Sequence, residues 1–238
     1  MIAQSFEDLT QSLRIFLEAW FKFGDLVLVD RPEAVGNIEA GFNSVSNSFH
    51  NIYDAMNKHY NERPVDWYAT PELCLILAIR NARHHNTANR IRNIFNYHVS
   101  VKEKPTDTAK YLTIDFEPQE EGGITFEFFL SWADIDELLN LPSNESKLRN
   151  GTKEMLYNYL QADKIDSYMS DHSISKESVF INIVPLITNA GIALHPYIKD
   201  DIKDLSTETK AFGDLFGSIK PCLANSHKVD VIDFVLPD

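Results

Sequence analysis

The sequence predicts a mainly α-helical protein, a helical bundle carrying a small inserted antiparallel β-hairpin. Three observations lead there. Apolar residues recur at spacings of three and four through most of the first hundred positions, strict alternation replaces that pattern near residues 111–130, and helix signals resume afterwards. The 238 residues suit a single helical domain over 1–238, with residues 105–143 holding the hairpin as an insertion.

Phe6, Leu9, Leu13, Phe16, Trp20, Phe23 and Val27 fall on one stripe of a first helix, with Ser5 as its expected N-cap. After the turn-prone Asp30-Arg31-Pro32-Glu33, the residues Val35, Ile38, Phe42, Val45, Phe49, Ile52 and Met56 repeat the stripe, so an antiparallel helical hairpin is expected. Thr70 and Pro71 read as the cap and first position of a third helix, which the periodicity carries through His98. Tyr111–Phe116 and Ile124–Leu130 read as paired strands around the turn at 118–123. Ser131 caps a short helix to about Leu139, and further helices are expected at 145–169, 176–200 and 207–219. The final VDVIDFVLP reads as a strand or an extended tail.

Composition places the chain among ordinary globular proteins, at 44% hydrophobic, 24% charged and 11% aromatic, enough to bury a core. Two cysteines, Cys74 and Cys222, make no disulfide framework and fit a reducing compartment. No export signal or run of some eighteen apolar residues is read, so the expectation is a cytoplasmic protein without a membrane span. Asn144-Glu-Ser and Asn150-Gly-Thr, although of glycosylation form, are then accidental.

A net charge of −13 argues against a protein that coats nucleic acid non-specifically. The mean conceals a basic strip. From Leu73 to Lys102 no Asp or Glu occurs, against Arg80, Arg83, Arg90, Arg92 and Lys102, so that segment is +5 while the remainder is −18. Such a strip on an acidic body points to a focused anion site.

Projected as one helix, Leu73, Leu77, Ile91 and Phe95 form an apolar stripe that Arg80, His84 and Thr87 interrupt, with His98 one turn beyond. An arginine on such a seam must meet a carboxylate, carbonyls, water in a cleft or a bound anion. Either Arg80 pairs with an acid of another helix and fixes the bundle, or it faces a ligand.

Arg80-Asn81-Ala82-Arg83-His84-His85 resembles the Arg-X4–6-His motif of the HEPN superfamily, in which a polar residue, often Asn, follows the Arg. The resemblance covers these six residues and the helical layout of the first hundred. It implies a compact helical bundle, a homodimer with motifs facing each other, and a metal-independent endoribonuclease of a toxin–antitoxin, defence or RNA-processing setting. RNA, and an antitoxin or regulatory protein, are the implied partners, and no cofactor is implied. His85 fits the family spacing, whereas His84 lies one turn from Arg80 on the stripe; Asn81, four residues before His85, could orient its ring. Thr87 stands where a nucleotidylated Tyr is common in members paired with a nucleotidyltransferase. A second match, Arg92-Asn93 to His98, projects onto a face expected to be solvated, which favours the first.

By this resemblance, an imidazole with an ordinary pKa of about 6.5 takes the proton of an RNA 2′-OH, and Arg80 stabilises charge on the phosphate. Arg83, Arg90 and Arg92 would guide the substrate. The competing reading is a non-enzymatic helical interaction protein, or an RNA- or nucleotide-binding protein, in which Arg80 sits in a structural buried ion pair. Adjacent His84 and His85 diverge on a helix, so no metal site is expected there. The acids Asp115, Glu117, Glu120, Glu121, Glu127 and Asp134 read as a solvated face. Neither a phosphate-binding glycine loop nor a serine-hydrolase elbow occurs.

Overall fold

A computed structural model describes the chain except residues 63, 86–90, 120–125 and 203–205, and of His85 it describes the backbone alone. The protein is mainly helical, with ten α-helices and a four-stranded mixed sheet among the described residues. Two compact units are present. The first comprises Met1–Arg80 and Ile187–Pro221, the second Asn81–Leu186 and Cys222–Asp238.

In the first unit, α1 (Ile2–Leu26) and α2 (Arg31–His59) form the expected hairpin. Ser12 bonds the Ser48 hydroxyl at 3.0 Å while Phe16, one turn later, meets Phe42, one turn or more earlier, so the helices run antiparallel. Asp30 caps α2 by accepting from the Glu33 N–H at 2.9 Å. The expected cap Ser5 instead lies inside α1, whose first turn begins at Ile2. Gly41 is where the helices cross, because a Cβ there would stand 2.9 Å from the Phe16 Cα. The helix α10 (Thr207–Ser218) joins α1 through Phe6 against Phe216 and a 2.8 Å bond between the Thr10 and Thr209 hydroxyls.

The helix α3 (Pro71–His85) starts where Thr70 and Pro71 predict. The Thr70 hydroxyl, however, donates to the Asp66 carbonyl at 2.9 Å rather than accepting from the first turn. The helix expected through His98 ends at His85, and α4 (Ile94–Val101) begins afresh. Asn93 accounts for the new start: its side chain accepts from the Asn96 N–H at 2.8 Å, which is an N-cap.

The second unit is built on the sheet, in the order β2 (Phe129–Ser131), β3 (Val179–Asn182), β1 (Ala109–Glu117), β4 (Leu223–Phe234). β1 pairs in parallel with β3 and antiparallel with β4, and β2 pairs with β3. The expected β-hairpin is therefore corrected: β1 and β2 do not pair with each other. Its turn and the start of its second strand fall largely outside the described residues. The physical reason is burial on both faces, since Tyr111, Leu112, Thr113 and Ile114 are all buried, as are all four residues of β3. Such strands need neighbours on both edges and layers on both sides. Aromatics fill one layer, where Tyr97, Tyr111, Phe129 and Phe180 form a core with Phe95, Ile232 and Phe234 against it.

Helix α5 (Trp132–Asn140) follows its expected cap, Ser131, whose hydroxyl accepts from the Asp134 N–H at 3.3 Å. The continuous helix expected at 145–169 is instead α6 (Ser143–Ser146), α7 (Asn150–Leu160) and α8 (Ala162–His172). Lys147 and Gln161 break it with φ of 60° and 50°. An uninterrupted helix would turn Ile165 half a revolution away from Leu156, yet both are fully buried. The helix expected at 176–200 is α9 (Val184–Ile198) preceded by β3 and one 3-10 turn.

Two outcomes follow from this packing. Gly41→Ala should destabilise the chain by about 1–3 kcal/mol through overpacking against Phe16, although alanine is the better helix former; a melting temperature at or above the parent's would show the crossing to be loose. Burial, aided by Asp66, pushes the Cys74 thiol up to about 12. In the native chain near neutral pH, Cys74 should resist alkylation that labels it fully in denaturant, as peptide mass mapping can read.

Candidate functional site

Arg80 lies on α3 five residues before its end, half-buried, and its Nε donates to Asn47 Oδ1 of α2 at 3.0 Å. An amide oxygen accepts from a guanidinium and orients it. Asn81 and Arg83 follow half-buried and His84 is exposed, so α3 turns polar at its C-terminal end. His85 is the last residue of α3, and its side chain lies outside the described residues, as do Thr87 and Arg90. The structure thus places Arg80, Asn81, His84 and His85 on one helix and describes no contact between Arg80 and His85.

Arg83 donates through Nη1 to the Ile91 carbonyl, which ties α3 to the segment entering α4. Arg92, expected on a solvated face, is held instead by Asp134 of α5. Its backbone N–H, Nε and Nη2 reach that carboxylate at 2.9, 2.8 and 2.6 Å. The ring of Tyr97 lies 5.0 Å from the Arg92 guanidinium carbon. The expectation failed because α3 and α4 are separate helices, so projecting Arg92 along α3 had no physical basis. Asp134 is likewise a buried partner rather than part of a solvated acidic face.

His98, the histidine of the second motif match, is fully buried. Nε2 meets the Pro105 carbonyl and Nδ1 the Tyr111 hydroxyl, both at 2.9 Å. A carbonyl can only accept, so Nε2 carries a hydrogen and both ring nitrogens serve the core. The spacing Arg92 to His98 therefore describes two framework residues.

A polar cluster that sequence reading missed surrounds Asp136 of α5. Its carboxylate takes the Lys176 ammonium at 2.5 Å, the Asn140 amide at 3.1 Å and the Tyr157 hydroxyl. Burial, then the bond to Asp136, pushes the Tyr157 hydroxyl up, so it stays protonated as a donor. Every group faces a partner, which marks the cluster as a joint between α5, α7 and the turn before β3. The 40-residue separation of Asp136 and Lys176 gave no local signal.

Among the described residues no three His, Cys, Asp or Glu side chains gather as a metal site, and no helix is long and apolar enough to cross a membrane. Comparison with known proteins finds no matching family model, no similar curated protein and no similar solved structure. Asp134→Asn should destabilise the chain by about 2–3 kcal/mol, because it weakens three bonds and leaves Arg92 half-buried beside a neutral amide. Denaturant unfolding checks this; a change within about 0.5 kcal/mol would show the pair to be a surface ornament.

Proposed function

We propose that the chain is a HEPN-like, metal-independent endoribonuclease centred on the C-terminal end of α3. The observation that carries this reading is Arg80, half-buried on α3, oriented by Asn47 and followed at motif spacing by Asn81 and His85. His85 removes the proton of a ribose 2′-OH as that oxygen attacks the adjacent phosphorus. Arg80 holds the non-bridging oxygens as negative charge gathers on them. The bond from phosphorus to O5′ breaks, a second histidine, His84 or that of a dimer mate, protonates the leaving oxygen, and the products carry a 2′,3′-cyclic phosphate and a 5′-hydroxyl.

Substrate guidance falls to Arg83, Arg90 and Arg92 in this proposal. Arg83 and Arg92 already serve framework bonds, which favours a second reading, a non-enzymatic helical interaction or an RNA- or nucleotide-binding protein in which Arg80 is structural. A neutralising or regulatory protein and a homodimer belong to the ribonuclease reading.

The full chain incubated with structured and single-stranded RNA in EDTA should generate ends that phosphatase removes only after the cyclic phosphate is opened. Arg80→Ala and His85→Ala should each lower cleavage at least about a hundredfold. Undiminished cutting by either variant removes the assignment. RNA retention on a filter without cleavage, lost in Arg80→Ala, would move the conclusion to the binding reading.

A further inference from the structure

The sheet of the second unit has two unlike edges. At one, Asn93 bridges Leu130 and the Ser131 N–H reaches the Arg92 carbonyl, so β2 is partly covered. At the other runs β4, twelve residues long, and among the described residues no strand lies on its outer side. An open strand of this length is a template for another strand.

Its outward groups can be assigned. The Asp230 carbonyl accepts from the Thr113 hydroxyl of β1 at 3.3 Å, so the peptide groups of residue 230 face β1. Alternation then turns the N–H and C=O of Val229 and Val231 away from the sheet, where among the described residues no strand meets them. Lys228 and Asp230 share one sheet face, their charges 3.8 Å apart and their side chains 69% and 59% exposed. Val231 is 43% exposed.

We infer that β4 pairs antiparallel with β4 of a second copy, about a two-fold axis through Val229, joining two sheets into one. A two-fold axis normal to the sheet keeps like faces together. Centred on Val229, it sets Lys228 opposite the partner's Asp230 twice, Val229 opposite its own copy and His227 opposite Val231. Moving the centre by one residue sets Lys228 against Lys228, or Asp230 against Asp230. Charges on an edge strand ordinarily deter pairing of every kind. Here the same two charges oppose the adjacent registers and favour one, which is the signature of a specified self-pairing. This inference is independent of the ribonuclease reading and of anything at α3.

The test uses opposite-charge variants of the full chain. Lys228→Asp makes an Asp/Asp strand and Asp230→Lys a Lys/Lys strand. By sedimentation, the parent should be a dimer and each variant alone should associate about tenfold or more weakly. An equimolar mixture of the two should recover dimer, because every cross-strand pair is then Asp opposite Lys. A monomeric parent overturns the inference. So does a variant that dimerises like the parent, or a mixture that stays monomeric while both variants show the parent's circular dichroism. Should either variant fail to fold, hydrogen exchange of the parent decides: Val229 and Val231 amides should exchange slowly and lose protection on dilution, and rapid exchange at every concentration overturns the pairing.

Discussion

The ion pair between Arg92 and Asp134 is the constraint on which the second unit's geometry rests. Asp134 is buried at the first turn of α5, and Arg92 surrounds it with one backbone and two side-chain donors. The Arg92 carbonyl in turn accepts from the Ser131 N–H at 2.9 Å, and the Ser131 hydroxyl caps the Asp134 amide. Arg92, Ser131 and Asp134 thus close a ring that fixes the chain before α4 against the corner between β2 and α5. A buried carboxylate left without these donors would carry a large desolvation cost, so the corner and the segment order together. Asn93 then caps α4 from a position this ring has already set.

That ring changes the meaning of the acid-free strip. Between Leu73 and Lys102 the arginines have no acidic neighbours in sequence, which reads as a field awaiting an anion. In the fold, Arg92 finds its carboxylate forty-two residues further on, and Arg83 finds a backbone carbonyl. Local charge imbalance reports only the partners available on the same helix. Where the chain folds back, long-range partners compensate it. Arg80, further back on α3, bonds the Asn47 side chain of α2.

Legibility in the sequence followed the range of the deciding interaction. The stripes of α1 and α2, the Ser131 cap of α5 and the span of α10 depend on neighbours within about a turn or two, and periodicity and capping residues display them. Val179-Phe180-Ile181-Asn182-Ile183 is apolar at every position but Asn182, so it carries neither period and passes for buried helix. Only the sheet around it makes it a strand. The break between α3 and α4 had one local signal, Asn93 before an apolar run, which a search for a continuous stripe overrode. Around the candidate site, the Asn47 contact and the framework roles of Arg83, Arg92 and His98 were not legible, since each depends on tertiary placement.

Strand order shows how few polar groups decide such placement. Asn182 is fully buried at the end of β3, and its Oδ1 accepts from the Phe128 N–H at 3.1 Å and the Val184 N–H at 3.2 Å. Its Nδ2 donates to Asp115 of β1 at 3.0 Å. One amide therefore touches the chain entering β2, the chain leaving β3, and β1. Slipping β3 by one residue would put Ile181 or Ile183 at that point and break the amide's bonds to Asp115 and to the Phe128 N–H, each loss costing about 1–3 kcal/mol. Hydrophobic burial alone does not distinguish these registers, because β3 is apolar on both faces. The polar residue at its end distinguishes them, and the order β2, β3, β1 follows from satisfying it.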